Sequence, residues 1–228
     1  MALAENLPAI LGLGRNARGI EMKVLSISSC VVALAGPAAA ECIDEVKALF
    51  VGGPIDPFSR PAWRETTVKI APDGSETHVV DATWQDPTRV LSYSNNMYIT
   101  AIGPDTWMAQ SADGPWTASG AYLPEDVEAF HKFTNETLMR NMTDVECHGT
   151  SKLDGQAVVT YSYRTKTDPN EYGSWFGGLH TAFIDVESNL LVRLEIRESV
   201  ASWAPEKSKD LTVTTLVYDP TIRIERPE

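Results

Sequence analysis

The sequence predicts a mainly β protein with α-helices, in which a curved antiparallel sheet, a half-barrel, is covered by two helices. Short segments recur between turn signals along residues 64–111 and again along 156–218, as in antiparallel sheets. Between 190 and 197, Leu, Val, Leu and Ile alternate with Leu, Arg, Glu and Arg, so one face is apolar. The predicted strands lack the continuous apolar runs that are typical of buried parallel sheets. About eight to ten strands form a sheet wide enough for twist to curl it.

Two stretches have helical spacing. Ile43, Val46, Leu49 and Phe50 predict a short helix over Glu41–Phe50, which the sequence Gly-Gly-Pro then ends. Pro124 and the acidic residues after it indicate the start of a second helix that runs to about residue 141. Its predicted buried stripe is Val127, Phe130, Thr134, Leu138 and Met142.

The strands are predicted between turn signals. The first group covers residues 64–70, 77–84, 90–94, 97–102 and 106–111, and the second covers 156–165, 180–186, 190–198 and 211–218, with a terminal extended piece at 221–225. His78 has the parity of Val80, Ala82 and Trp84, so we expect it in the core or at a cavity edge.

Composition limits the class of partner. The 228 residues include 19 Lys and Arg against 31 Asp and Glu, a net charge of −12 at pH 7, and suit one globular domain. Phosphate backbones and anionic membrane surfaces are held by clustered basic residues, so we expect no nucleic-acid partner.

The first forty residues are typical of a leader. After Met22, Lys23 precedes a mostly apolar run at 24–35, then Gly-Pro and three alanines before Glu41, the order of a secretory signal peptide. The 12-residue run is shorter than the roughly 20 residues that span a bilayer, so no stable membrane span is expected. We predict a leader at 1–40, with translation from Met22, and a single half-barrel domain at 41–228 that is periplasmic or secreted.

The domain at 41–228 contains two cysteines, Cys42 and Cys147. In an oxidising compartment two such thiols are expected to pair, so we predict a Cys42–Cys147 disulfide. Two buried free thiols are the alternative. A catalytic Cys147 activated by His148 is disfavoured, because adjacent side chains point away from each other.

Several segments resemble the periplasmic lipoprotein-carrier family, the LolA-like half-barrels. They are residues 82–90 (ATWQDPTRV), 97–103 leading to Thr106-Trp107-Met108, 184–195, and 216–225. The resemblance implies a sheet bent around a hydrophobic cavity, with helices as a cover, in a non-enzymatic carrier of acyl chains. The chain differs from the carriers at Asp86, because they commonly have Arg before the central Pro.

Aromatic residues on the predicted strands and in the Gly-rich stretch at 166–179 are the candidate ligand contacts. Large side chains in clefts and in cores look alike in a sequence, so simple packing is the alternative for each of them. The candidates are Trp84, Tyr93, Trp107, Trp116, Tyr161, Tyr163, Trp175, Phe176 and Phe183.

No pattern indicates an enzyme. The four histidines have no zinc spacing, no glycine-rich phosphate loop opens a helix, and Ser174 is not in a nucleophile elbow, so we expect no metal, cofactor or catalytic residue. The favoured function is non-covalent binding of an apolar small molecule or lipid. The alternatives are an interaction module with a filled core that docks an envelope protein, and an envelope hydrolase.

Overall fold

The computed structural model describes residues 37–227, in which two α-helices and eleven strands are present. The helices are α1 (Pro37–Ala48) and α2 (Val127–Arg140), and a 3-10 turn lies at Pro57–Ser59. The strands are β1 (Trp63–Ile70), β2 (Glu76–Asp86), β3 (Arg89–Ser94), β4 (Met97–Ile102), β5 (Asp105–Ala109), β6 (Thr117–Ser119), β7 (Thr143–Leu153), β8 (Gln156–Lys166), β9 (Phe176–Asp185), β10 (Leu191–Ala201) and β11 (Leu211–Tyr218).

All eleven strands form one antiparallel sheet in the order β6-β5-β4-β3-β2-β1-β11-β10-β9-β8-β7. From β1 the chain steps outward to β6, α2 takes it to the opposite edge, and β7 to β11 step back to β1. The sheet is curved and unclosed, so the predicted half-barrel with two helices is confirmed. The predicted leader at 1–40 lies largely outside the described residues.

The predicted strand count of eight to ten was wrong, because β6 and β7 were missed. β7 is an edge strand whose residues are mostly exposed, so it has no apolar alternation that a sequence pattern could detect. β6 has three exposed residues. The terminal piece at 221–225 is not a strand, although Ile222 and Ile224 are buried with Ala62, next to Leu91 and Ile102. It therefore covers the outer, convex face of β3 and β4.

Two bulges reverse the parity that the sequence predicts. In the pairing of β1 with β2, Thr67 lies opposite Val80 and Val68 opposite His78, so Val79 is the extra residue. His78 consequently faces outward with Asp81, and its expected core position was wrong. A second shift, between β10 and β9, turns Leu191 to the inner face, where it is buried opposite Ile184.

The main core lies on the inner, concave face. Val46 of α1 packs on the strands there, together with Leu49 and Phe50, which follow the helix. Leu138 of α2 and Met142, two residues beyond its end, complete this packing. Leu123 and Val127 cover a second cluster on β2, β3 and β4, formed by Ala82, Val90 and Ala101. Phe130 was wrongly assigned to the buried stripe of α2, since the stripe turns through Val127, Asn135 and Leu138 and leaves Phe130 exposed.

Candidate functional site

Three of the nine predicted ligand contacts lie in the inner core. Tyr163 is fully buried, and its ring lies edge-to-face with that of Phe50. Tyr161 donates a hydrogen bond of 2.6 Å to the Glu45 carboxylate on α1. Trp84 stacks on Trp63 at 5.5 Å. Burial raises the pKa of Tyr161 to about 12, and the Glu45 hydrogen bond acts in the same direction. These rings pack against the chain's own helices.

Another three face outward. Tyr93 contacts Tyr98 at 4.7 Å, and the Arg193 guanidinium lies 5.9 Å from the Phe183 ring centroid. Trp107 lies under Arg226, whose guanidinium is 4.8 Å from its ring centroid. Their strand register places these three rings opposite to Val90, Ala101 and Ala182 on the inner face, which is the other side of the sheet.

The last three are in or near loops. Trp116 follows Gly114 and Pro115 before β6 and is half-buried. Trp175 is also half-buried, with the Lys166 ammonium 5.4 Å from its ring centroid. Phe176, the first residue of β9, is exposed. The structure therefore does not bring the nine residues together around one cavity, and their role in ligand binding stays a prediction.

Beneath the helices, side chains of the core pack on the concave face. A cleft of about 360 Å³ lies between β9, β10, the end of β1 and the loop at 202–210. Strand register places its base on the inner face: His180 lies opposite both Tyr163 and Ile196. Its apolar lining is Phe176, Ile196, Val200, Ala201, Trp203 and Ala204. Trp203 is 74% exposed at its rim.

His180 joins this cleft to the core. Its ring stacks on Tyr163 at 5.3 Å and is 6% exposed, and its Nε2 forms no hydrogen bond within residues 37–227. Burial lowers the pKa of His180 to about 4, so the ring is neutral at pH 7. The ring therefore places no charge at the base of the cleft at pH 7.

The cleft also has a charged rim. Lys69 and Glu206 line it, and neither forms an ion pair with any described residue. Ser199 and Ser208 add hydroxyl groups. Sequence reasoning did not select His180, Lys69 or Trp203 as site residues, because the cleft depends on the register of three strands and on the path of one loop.

Other polar clusters do not build a catalytic arrangement. On the outer face His78 Nε2 lies 3.0 Å from the Asp81 carboxylate, which also accepts a hydrogen bond of 2.7 Å from Thr66. Asp81 thus lies between the hydroxyl and the imidazole, so His78 does not contact the hydroxyl as a general base would. Among the described residues, no group of three His, Cys, Asp or Glu side chains is placed to hold a metal ion.

The predicted disulfide is confirmed: Cys42 of α1 is bonded to Cys147 of β7, with a Cα–Cα distance of 5.9 Å. It fixes α1 to the edge strand of the sheet, and the Tyr161 hydrogen bond to Glu45 holds the same helix from β8. Within residues 37–227 no helix has both the length and the apolar character needed to cross a membrane.

The fold and the cleft together define a class of protein, an antiparallel half-barrel covered by two helices with a partly apolar cleft at one end of its concave face. No protein-family model matches the sequence, and neither does any curated protein sequence. Solved structures are similar to it at low identity. The lipoprotein LppX of Mycobacterium tuberculosis is 13% identical, with a TM-score of 0.48 over 80% of this chain and all of LppX.

LprF from Mycobacterium bovis is also 13% identical, with a TM-score of 0.47 over 81% of this chain and 97% of LprF. A LolA-superfamily protein from Nitrosomonas europaea is 10% identical, with a TM-score of 0.30 over 75% of this chain and 90% of that one.

Proposed function

We propose that this protein is an exported, non-enzymatic binder of an apolar molecule, such as a lipid acyl chain, which it holds in the cleft around His180. The observation that carries the proposal is the cleft itself, because six apolar residues line it and its base is a neutral, buried imidazole. Its volume of about 360 Å³ lies in the range of small-molecule sites.

The binding energy would come from removal of apolar surface from water. Each methylene group that an acyl chain buries contributes about 0.8 kcal/mol, before the cost of immobilising the ligand. Phe176 and Trp203, both exposed in the described chain, offer large rings against which such a chain packs. The free ammonium of Lys69 at the rim suits a carboxylate or phosphate head group.

Export is part of the proposal and is supported by the disulfide. Disulfides persist in oxidising compartments and are rare in the cytosol, so Cys42–Cys147 favours a periplasmic or secreted protein.

Two variants test the cleft directly. Trp203→Ala removes a rim contact and Ala204→Trp fills the space, and both residues are exposed, so neither change disturbs the core. We expect W203A to weaken binding of a dansyl-labelled fatty acid about fivefold, the equivalent of about 1 kcal/mol, and A204W to weaken it more. Fluorescence titration measures both dissociation constants.

Val217→Ser is the matched control, since Val217 is a 60% exposed apolar residue on the outer face of β11. It should leave the affinity unchanged. Organic extraction of the purified protein followed by mass spectrometry should also release an apolar molecule in stoichiometric amount. Equal probe affinity in all three variants, together with an empty extract, would contradict the proposal.

A further inference from the structure

We propose that the outward side of α2 is a docking surface for a cationic segment of a partner protein, in which Lys or Arg residues alternate with apolar ones. Two open clefts flank the helix. The first, about 370 Å³, is lined by Val51, Phe58 and His131, among others. The second, about 570 Å³, is lined by Phe130, Phe133 and Tyr172 with neighbouring polar residues. We define the α2 surface as the residues that line these two clefts.

The α2 surface is unusually aromatic for a face that no other element within residues 37–227 covers. Phe130 and Phe133 are 40% and 39% exposed, and Tyr172 is 82% exposed. His131, which lines the first cleft, also contacts the second lining, because its ring lies 5.7 Å from Phe58 and 5.6 Å from Phe130. Exposed apolar patches rimmed by polar groups mark interaction sites, and aromatic residues are enriched at protein interfaces.

Charge determines which partner fits. The linings contain six carboxylates, those of Asp56, Glu125, Asp126, Glu128, Glu136 and Glu171, and one basic side chain that is charged at pH 7, that of Lys132. Burial lowers the pKa of His131, so its ring is neutral at that pH. None of the six forms an ion pair with another described residue. The two aspartates accept backbone hydrogen bonds, whereas the four glutamates are free to pair with a partner.

A cationic segment satisfies both features at once. Its Lys or Arg side chains pair with the glutamates and lie over the aromatic rings, while its apolar side chains enter the clefts. A second copy of this chain would bring like charges together, and an anionic membrane would be repelled. Complementary charge therefore favours a basic protein segment over either of them.

The test uses a synthetic 12-residue peptide that alternates Lys and Leu, with binding to the purified protein measured by calorimetry at physiological salt. Glu125→Lys with Glu171→Lys reverses charge within the α2 surface. Phe130→Ser with Phe133→Ser removes the aromatic contacts. Both pairs are exposed, so the fold should be kept, which thermal melting checks. We expect each double variant to raise the dissociation constant at least tenfold.

The matched control is Glu76→Lys with Glu187→Lys, which changes the net charge equally at two exposed sites, one on β2 and one in the turn after β9. Its dissociation constant should stay within twofold of the wild-type value. The proposal is overturned if the control weakens binding as much as E125K/E171K does, if F130S/F133S binds normally, or if the wild-type protein does not bind the peptide.

Two further results would overturn the proposal, because each would assign the α2 surface to another occupant. The first is a dimer in sedimentation velocity that F130S/F133S dissociates, since the surface would then bind a second copy of the chain. The second is flotation of the protein with phosphatidylcholine vesicles that F130S/F133S abolishes, since the surface would then bind lipid.

Discussion

Removal of the Cys42–Cys147 disulfide should destabilise the protein strongly through its unfolded state. The bond closes a loop of 105 residues. Closing a loop of this length raises the free energy of the unfolded state by about 4.7 kcal/mol, because it lowers the chain's conformational entropy. In the folded state α1 keeps its other contacts, the burial of Val46 and Phe50 and the Tyr161–Glu45 hydrogen bond. The native fold should therefore survive the loss, with a lower free energy of unfolding.

Urea denaturation of C42S/C147S, in the chain from residue 41 onward, measures this loss directly. We expect a decrease of about 3–5 kcal/mol, which for a domain of this size lowers the melting temperature by roughly 10–15 °C. Reductant should shift the wild-type curve to that of the variant and leave the variant itself unchanged. A loss below about 1 kcal/mol, or two alkylatable thiols in the unreduced wild-type protein, would refute the reasoning.

Three further changes have defined outcomes. Gly177→Ala should cost about 1–3 kcal/mol in urea denaturation, because its Cβ would meet β8 atoms at 2.4 Å; Gly120→Ala, in open space, should cost less than 1 kcal/mol. Between pH 6.5 and 4 the unfolded chain binds a proton at His180 while the folded ring stays neutral, so the wild type should lose about 3 kcal/mol of stability as the pH falls. His180→Phe should abolish this loss, and parallel pH dependences of the two proteins would contradict the reasoning. Tyr161→Phe should cost about 1–2 kcal/mol by thermal melting through loss of the Glu45 hydrogen bond, and an unchanged melting temperature would count against that bond.

Local patterns predicted most of the fold. β4 and β11 occupy the predicted residues, and α2 ends within one residue of the prediction, because turn residues and capping acids act over a few positions. Asp126, for example, accepts a hydrogen bond from the Ala129 amide and begins α2 where the acidic residues indicate. β7 was missed because an exposed edge strand has no buried face to leave a pattern.

The candidate site was much less predictable, because the side of the sheet that a side chain faces depends on strand register. The bulge at Val79 turns His78 outward, and the shift in β10 turns Leu191 inward, although alternation from neighbouring residues predicts the opposite for both. Of the nine aromatic candidates, Phe176 lies in the cleft. His180 and Trp203 lie there too, although no sequence pattern indicated them as site residues.

The sequence alone determined the class of fold and the cysteine pair, since alternation, turn chemistry and the number of thiols are properties of short segments and of composition. Tertiary structure alone decided which side of the sheet each ring faces, which side chains pack beneath the helices, and where a cleft lies. Those features depend on contacts between residues far apart in the chain, such as Tyr163, His180 and Ile196, which strand pairing brings together.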